Sequence, residues 1–210
     1  VKTKFNLKVI LKVCANGSSE MLTNLSMSLV NILYNMKLIE IAGSNGVVAY
    51  GIIMYISFIF IGIYFGYSVG SAPIISYHYG AQNIKELKNL LKKSLILTAI
   101  AAILMTILAQ VLSKPLASIF VSYDKELLEM TTLAIRLFSI SFLISGFNIF
   151  SSSFFTALNN GVISAIISFL RTLVFQVAMI FILPIIFGIN GIWLAVLFAE
   201  ILALLVGAIF

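Results

Sequence analysis

Four ionisable side chains fall inside long apolar runs of this sequence: Glu20, Arg136, Arg171 and Glu200. Near the centre of a bilayer each such charge costs about 2.5 to 3.5 kcal/mol on insertion scales, so each requires a partner or a watery cavity. These are the positions at which an ion pair, a proton or a polar substrate could be handled. Arg171 lies about nine residues into its run and Glu200 about eleven into the next, which at about 1.5 Å per residue puts both near one depth. The spacing predicts an ion pair between antiparallel neighbours, with a role in structure or in coupling. Glu20 lies in the inner part of the first run and is a candidate for an ion site or for a carboxylate that reaches the interface. Arg136 sits in the outer half of the fourth.

Uncharged polar residues extend the list of candidates. Asn24, Asn31 and Asn35 are spaced by seven and four, which places them on one helix face that could line a cavity or join helices. Asn148 opens a hydroxyl-rich stretch with Ser151, Ser152, Ser153 and Thr156. The candidates for a cation or substrate cleft are therefore Glu20, Asn24, Asn31, Asn148, Arg171 and Gln176. His78, between Tyr77 and Tyr79, reads as part of an interfacial aromatic belt. Cys14 is the sole cysteine, so neither an internal disulfide nor a multi-cysteine metal site can form. No nucleophile elbow, phosphate loop or HExxH motif occurs, and neither an enzyme nor a cofactor or metal is expected.

These residues are carried by a chain that is 61% hydrophobic and 10% charged, with mean hydropathy +1.15. That is too little polar surface to coat a soluble globule of 210 residues. Apolar segments are read at 13–38, 46–79, 94–112, 127–157, 162–187 and 189–210, each meeting the roughly 20 residues needed to cross about 30 Å of hydrocarbon. The sequence thus predicts an all-α polytopic membrane protein, a single lobe of six spans over 1–210. Turn formers separate them: Gly43 to Gly46, Gly80 with Asn83, Ser113 with Pro115, Asn159 to Gly161, and Gly188 to Gly191. Gly62, Gly66 and Gly70 recur every four residues and predict a helix-packing face. Pro73 and Pro184 lie inside spans and are expected to kink them unless the freed carbonyls find other donors.

The formal charge is +6, and eight of the 13 Lys and Arg fall in two clusters, Lys2 to Lys12 and Lys85 to Lys93. Membrane orientation accounts for that distribution better than nucleic-acid binding. Both clusters fall on one side, with Lys37, Lys114 and Lys125 on the other, so both chain ends are expected to be cytoplasmic. The chain opens at Val1 on a basic run without a cleavable apolar leader, and a piece of a longer protein is expected.

Several of these residues together resemble a known family. The run Gly70, Pro73, Tyr79, Gly80, Ala81 and Asn83, followed by a basic amphipathic stretch with Lys88 and Lys92, is similar to the turn that ends the eighth helix of multidrug and toxic compound extrusion (MATE) transporters. Gly146-Phe147-Asn148, Ala157-Leu158-Asn159, Leu170-Arg171, Pro184 and Gly188-Ile189-Asn190-Gly191-Ile192-Trp193 resemble that family's later helices. The resemblance covers essentially the whole chain as the C-terminal six-helix lobe of a twelve-helix transporter. It implies a plasma-membrane antiporter driven by protons or sodium that exports organic, often cationic compounds, with an N-terminal six-helix lobe as the missing partner. It also points to Glu20 as the nearest match to a carboxylate of the seventh helix, while the tenth-helix acidic residue of some members is absent here. Two other readings stand beside it: a lipid-linked oligosaccharide flippase of the same superfamily, which would favour a more cationic cleft, and a non-transporting membrane scaffold or fragment.

Overall fold

The computed structural model describes residues 7–210, except the side chains of Lys12, Ala15, Asn16, Ser18, Ser19, Glu20 and Leu22. Among the described residues every regular element is a helix. The first, α1 (Leu7–Gly80), runs 74 residues and is interrupted at Gly43, whose φ of 61° and ψ of −153° suit a residue without a Cβ. Its two arms fold back on each other. Tyr34 and Tyr50 stack with ring centroids 4.7 Å apart, and Tyr50 Oη donates to Asn31 Oδ1 at 2.6 Å. In one straight helix residues 34 and 50 would stand about 24 Å apart. The corner is a single residue, where the sequence predicts a loop over Gly43 to Gly46. Helix resumes at once because Gly46 lets the arms close up: a Cβ there would meet Ala42 Cβ at 2.7 Å.

The second arm continues helical through Pro73, since no dihedral besides that of Gly43 leaves the helical region. It is the spine on which the lobe assembles. Tyr64 Oη donates to the Phe142 carbonyl at 3.0 Å, Tyr67 Oη to Ser94 Oγ at 2.8 Å and Ser76 Oγ to the Ala157 carbonyl at 2.9 Å. The glycine face does something other than expected. Gly62, Gly66 and Gly70 are exposed, and a Cβ on any of them would meet nothing within 4 Å. No described helix of this chain packs there, because the arm turns Tyr64 and Tyr67 rather than its glycines toward its neighbours.

Asn83 accepts from the Glu86 backbone N–H at 3.2 Å and so caps α2 (Ile84–Val121). This helix passes straight through Ser113 and Pro115, which the sequence reads as a turn. Proline's fixed φ is compatible with helix, and the Ser113 hydroxyl is engaged, donating to the Gln110 carbonyl at 2.8 Å and accepting from Arg136 Nε at 3.0 Å. The turn comes later, where Asp124 accepts from the Leu127 N–H at 3.1 Å and caps α3 (Lys125–Ser139). The run expected as one segment at 127–157 is two helices, α3 and α4 (Phe142–Ala157), bent by 47°.

After the turn at Asn159 and Asn160, α5 (Gly161–Phe169), a π-helical segment (Leu170–Phe175) and α6 (Gln176–Phe187) form one continuous stretch. Pro184 falls in its last turn, where its carbonyl accepts from the Gly188 N–H at 2.9 Å. Gly188, with φ 56°, then reverses the chain into α7 (Ile189–Ile209). Four of these helical stretches are long and apolar enough to cross a membrane, or five with the bent α3–α4 pair. The main core gathers Tyr34, Phe138, Phe142, Ile180 and Trp193 from α1, α3, α4, α6 and α7. A smaller cluster of Ile75, Leu87, Phe150 and Ala157 closes the other end.

Candidate functional site

Three helices each bring one polar side chain to the same buried point. Asn148 comes from α4, Arg171 from the π-helical segment and Glu200 from the middle of α7; their relative exposures are 0%, 9% and 1%. Arg171 Nη2 lies 2.9 Å from Glu200 Oε1, and Nε donates to both carboxylate oxygens at 3.0 Å. Asn148 Nδ2 donates to Glu200 Oε2 at 2.6 Å and to the Glu200 carbonyl at 2.9 Å. A bidentate guanidinium and an amide thus satisfy a carboxylate that would be prohibitive alone in an apolar interior. Asn148 Oδ1 is buried and has no hydrogen-bond partner among the described residues. Both Asn148 donor contacts go to acceptors, which fixes the amide's orientation and leaves the carbonyl oxygen facing its surroundings without a donor.

Beside this triad runs a hydroxyl seam between α4 and α5. Ser152 Oγ lies 2.9 Å from Ser164 Oγ and 2.7 Å from Ser168 Oγ, and Thr156 donates to Ser164 Oγ at 2.7 Å. Thr172 Oγ1 donates to the Ser168 carbonyl at 2.6 Å. Asn148, Ser152 and Thr156 follow each other at four-residue steps on α4, and Ser164, Ser168 and Thr172 do the same across from them. The hydroxyl-rich end of α4 therefore joins helices rather than lining an open surface. The α5 partners escape a search for charges and asparagines; the matching four-residue spacing was the signal that could have found them.

The other candidates lie apart from the triad. Asn24 and Asn31 are exposed on the first arm of α1, where Asn31 also accepts from Asn35 Nδ2 through its carbonyl at 2.8 Å. Gln176 is half-buried at the start of α6 and makes no hydrogen bond to the triad. The side chain of Glu20 lies outside the described residues. Arg136 forms a second polar knot at the other end of the lobe: Gln110 Nε2 donates to the Arg136 carbonyl at 2.7 Å and to Ser139 Oγ at 2.9 Å. Lys37 pairs with Glu40 at 2.8 Å and lies 5.5 Å above the Phe181 ring. Among the described residues no cluster of His, Cys, Asp or Glu could hold a metal ion.

An all-helical lobe with apolar crossings and a buried ion pair is the architecture of a polytopic membrane protein. A family model, MatE, matches residues 20–182, and the chain belongs to that family. No curated protein matches it. Among solved structures, one described as the outward-facing conformation of a multidrug resistance MATE family transporter of the MOP superfamily is similar with TM-score 0.90 at 22% identity, covering 100% of this chain and 48% of that one. A Vibrio cholerae MATE transporter mutant gives TM-score 0.89 at 20% identity, covering 98% and 47%. A MOP superfamily transporter from Pyrococcus furiosus, whose binding pocket is described as reversed in polarity, gives 0.90 at 20% identity, covering 98% and 46%. The chain thus spans about half the length of these structures.

Proposed function

We propose that this chain forms the C-terminal six-span lobe of a cation-coupled antiporter that exports organic, often cationic compounds. The observation that carries the reading is the MatE match over residues 20–182. The two arms of α1, then α2, bent α3–α4, α5–α6 and α7 make up the six crossings, and a second lobe supplies the other half of the transport cleft. Asn24 and Asn31, exposed on the first arm, belong to the face turned toward that cleft. The coupling ion is a proton or sodium, and the Arg171–Glu200 pair with Asn148 is the polar anchor of this lobe during the exchange of access. The lysine clusters favour a plasma-membrane orientation with both ends and the 80–93 turn in the cytoplasm. The oligosaccharide flippase fits less well, because Arg171, one of the two arginines that an anionic headgroup would need, is held by Glu200.

The test is accumulation of a fluorescent cationic dye by cells that express the full-length protein. Expression should lower accumulation, and collapsing the proton gradient or withdrawing sodium should identify the ion by abolishing the difference. Accumulation that is unchanged by expression for a panel of cationic compounds refutes the reading.

A further inference from the structure

The start of α2 carries Lys85, Lys88, Lys92 and Lys93 within ten residues, against the single carboxylate of Glu86. Glu86 is occupied locally, accepting from Asn89 Nδ2 at 3.1 Å. None of the four lysines has an ion-pair partner among the described residues. Their scaffold is nevertheless fixed, because Leu87 is buried and Leu91 packs beside it in the cluster of Ile75, Phe150 and Ala157.

One open face of α2 along this stretch is formed by Lys88, Leu91, Lys92, Leu95 and Ile96, a shallow and mostly apolar surface. Its composition changes along its length. Lys88 and Lys92 stand one turn apart at one end, and Leu95 and Ile96, 40% and 51% exposed, form the other. Beyond them Ile100, Ile103 and Ile107 continue an exposed apolar face along the helix. With 38 residues α2 is about 57 Å long, against about 30 Å of hydrocarbon, so it projects well past the apolar layer. With its lysines at the helix start and its apolar residues toward the middle, this face runs from the polar end of α2 into its apolar stretch.

We propose that this face of α2 is a binding site for an anionic phospholipid. The phosphate sits between the ammonium groups of Lys88 and Lys92, Lys85 and Lys93 repel any cationic headgroup, and an acyl chain lies along Leu91, Leu95 and Ile96. Charge complementarity selects the headgroup and the apolar continuation selects a lipid over free phosphate, which would make no use of the leucines. Excess lysine on one side of a membrane protein is usually read as an orientation signal alone; a helix face that runs from two of those lysines along an acyl-chain path also recognises a lipid.

The full-length protein in detergent is titrated with phosphatidylglycerol and with phosphatidylcholine of the same acyl chains, and retained lipid is counted by native mass spectrometry. One phosphatidylglycerol should be held in preference to phosphatidylcholine. Lys88→Gln/Lys92→Gln should weaken its retention roughly 25-fold, since each lysine close to an anionic headgroup contributes about fivefold. Lys88→Arg/Lys92→Arg should keep it, and Lys85→Gln/Lys93→Gln should lose much less. Equal retention of the two lipids by the unaltered protein overturns the proposal without any variant, so a variant that fails to fold cannot protect it. Retention unchanged in a folded Lys88→Gln/Lys92→Gln protein overturns it as well. Displacement of the lipid by inorganic phosphate would make this a simple anion site and would refute the lipid assignment.

Discussion

Tyr64 and Gly146 meet so closely that no side chain fits between them: a Cβ on Gly146 would stand 2.7 Å from Tyr64 Cε1 and 2.8 Å from Cδ1. The ring cannot swing aside, because it is buried and its hydroxyl is tied to the Phe142 carbonyl at 3.0 Å. Thr98 Cγ2, 2.9 Å from the same point, blocks the other side. Gly146→Ala should therefore cost about 1 to 3 kcal/mol through overpacking, read as a lower melting temperature in detergent. A melting temperature equal to that of the parent would mean that α1 and α4 can separate without penalty.

Gly66 provides the contrast. It is open on all sides within this chain, and alanine is the better helix former by about 0.5 to 1 kcal/mol. Gly66→Ala should leave the melting temperature of the chain unchanged or raise it. A clear fall would show that something outside this chain closes over the Gly62, Gly66 and Gly70 face.

For the ion pair, breaking should hurt more than removing. Arg171→Met leaves the Glu200 carboxylate, and Glu200→Gln the Arg171 guanidinium, without its counter-charge in low dielectric, at up to about 3 to 5 kcal/mol, whereas the double variant should recover most of that. A double-mutant cycle of unfolding in detergent gives the coupling energy, and additivity would refute the contact. If stability recovers while efflux by the full-length protein does not, the pair also serves transport.

At Asn148, charge and volume can be separated. Asn148→Ala removes two donors to Glu200 and leaves a hole, while Asn148→Asp keeps the volume but puts a second carboxylate at hydrogen-bond distance from the first. The aspartate variant should be the less stable of the two at neutral pH, because like charges in a dry site repel strongly. The reverse order would mean that water reaches this point and screens it.

The orientation has its own check. Cys14 is exposed, so it is first changed to serine, and single cysteines are then placed at Asn45 and Asn83. Only the Asn45 position should react from outside with a reagent that cannot cross the membrane. Labelling of both from the same side would overturn the proposed topology.

Helix ends marked by local chemistry could be read directly: Gly43, Asn83, Asn160 and Gly188 stand at the breaks because positive φ and side-chain caps are properties of single residues. The meeting of Arg171 and Glu200 was also legible, since depth in a helix follows from counting. The bend between α3 and α4 was not, because no Gly or Pro announces it at Ile140 and Ser141. Pro115 misled in the opposite sense, being a strong breaker in general but carried inside α2, whose φ its ring can adopt. The glycine face shows the limit of periodicity: spacing tells which residues share a face, and says nothing of what that face looks at.

The π-helical segment has a consequence for rotational register. At about 100° per residue, a straight α-helix counted from buried Ser164 would turn Leu183 about 100° and Ile180 about 160° away from the inward direction. Both are nevertheless buried, at 5% and 0% exposure. Discounting one residue returns them to about 0° and 60°, so the wide turn at Leu170–Phe175 absorbs a surplus residue. Removing one residue elsewhere between 161 and 187 would rotate one half of this stretch out toward lipid, but removing the exposed Val174 would leave both halves facing inward. Arg171, seven residues after Ser164, lies only about 20° from it on the same count and faces inward on the near side of the wide turn, so the surplus residue sets the facing of Ile180 and Leu183 and not that of the charge.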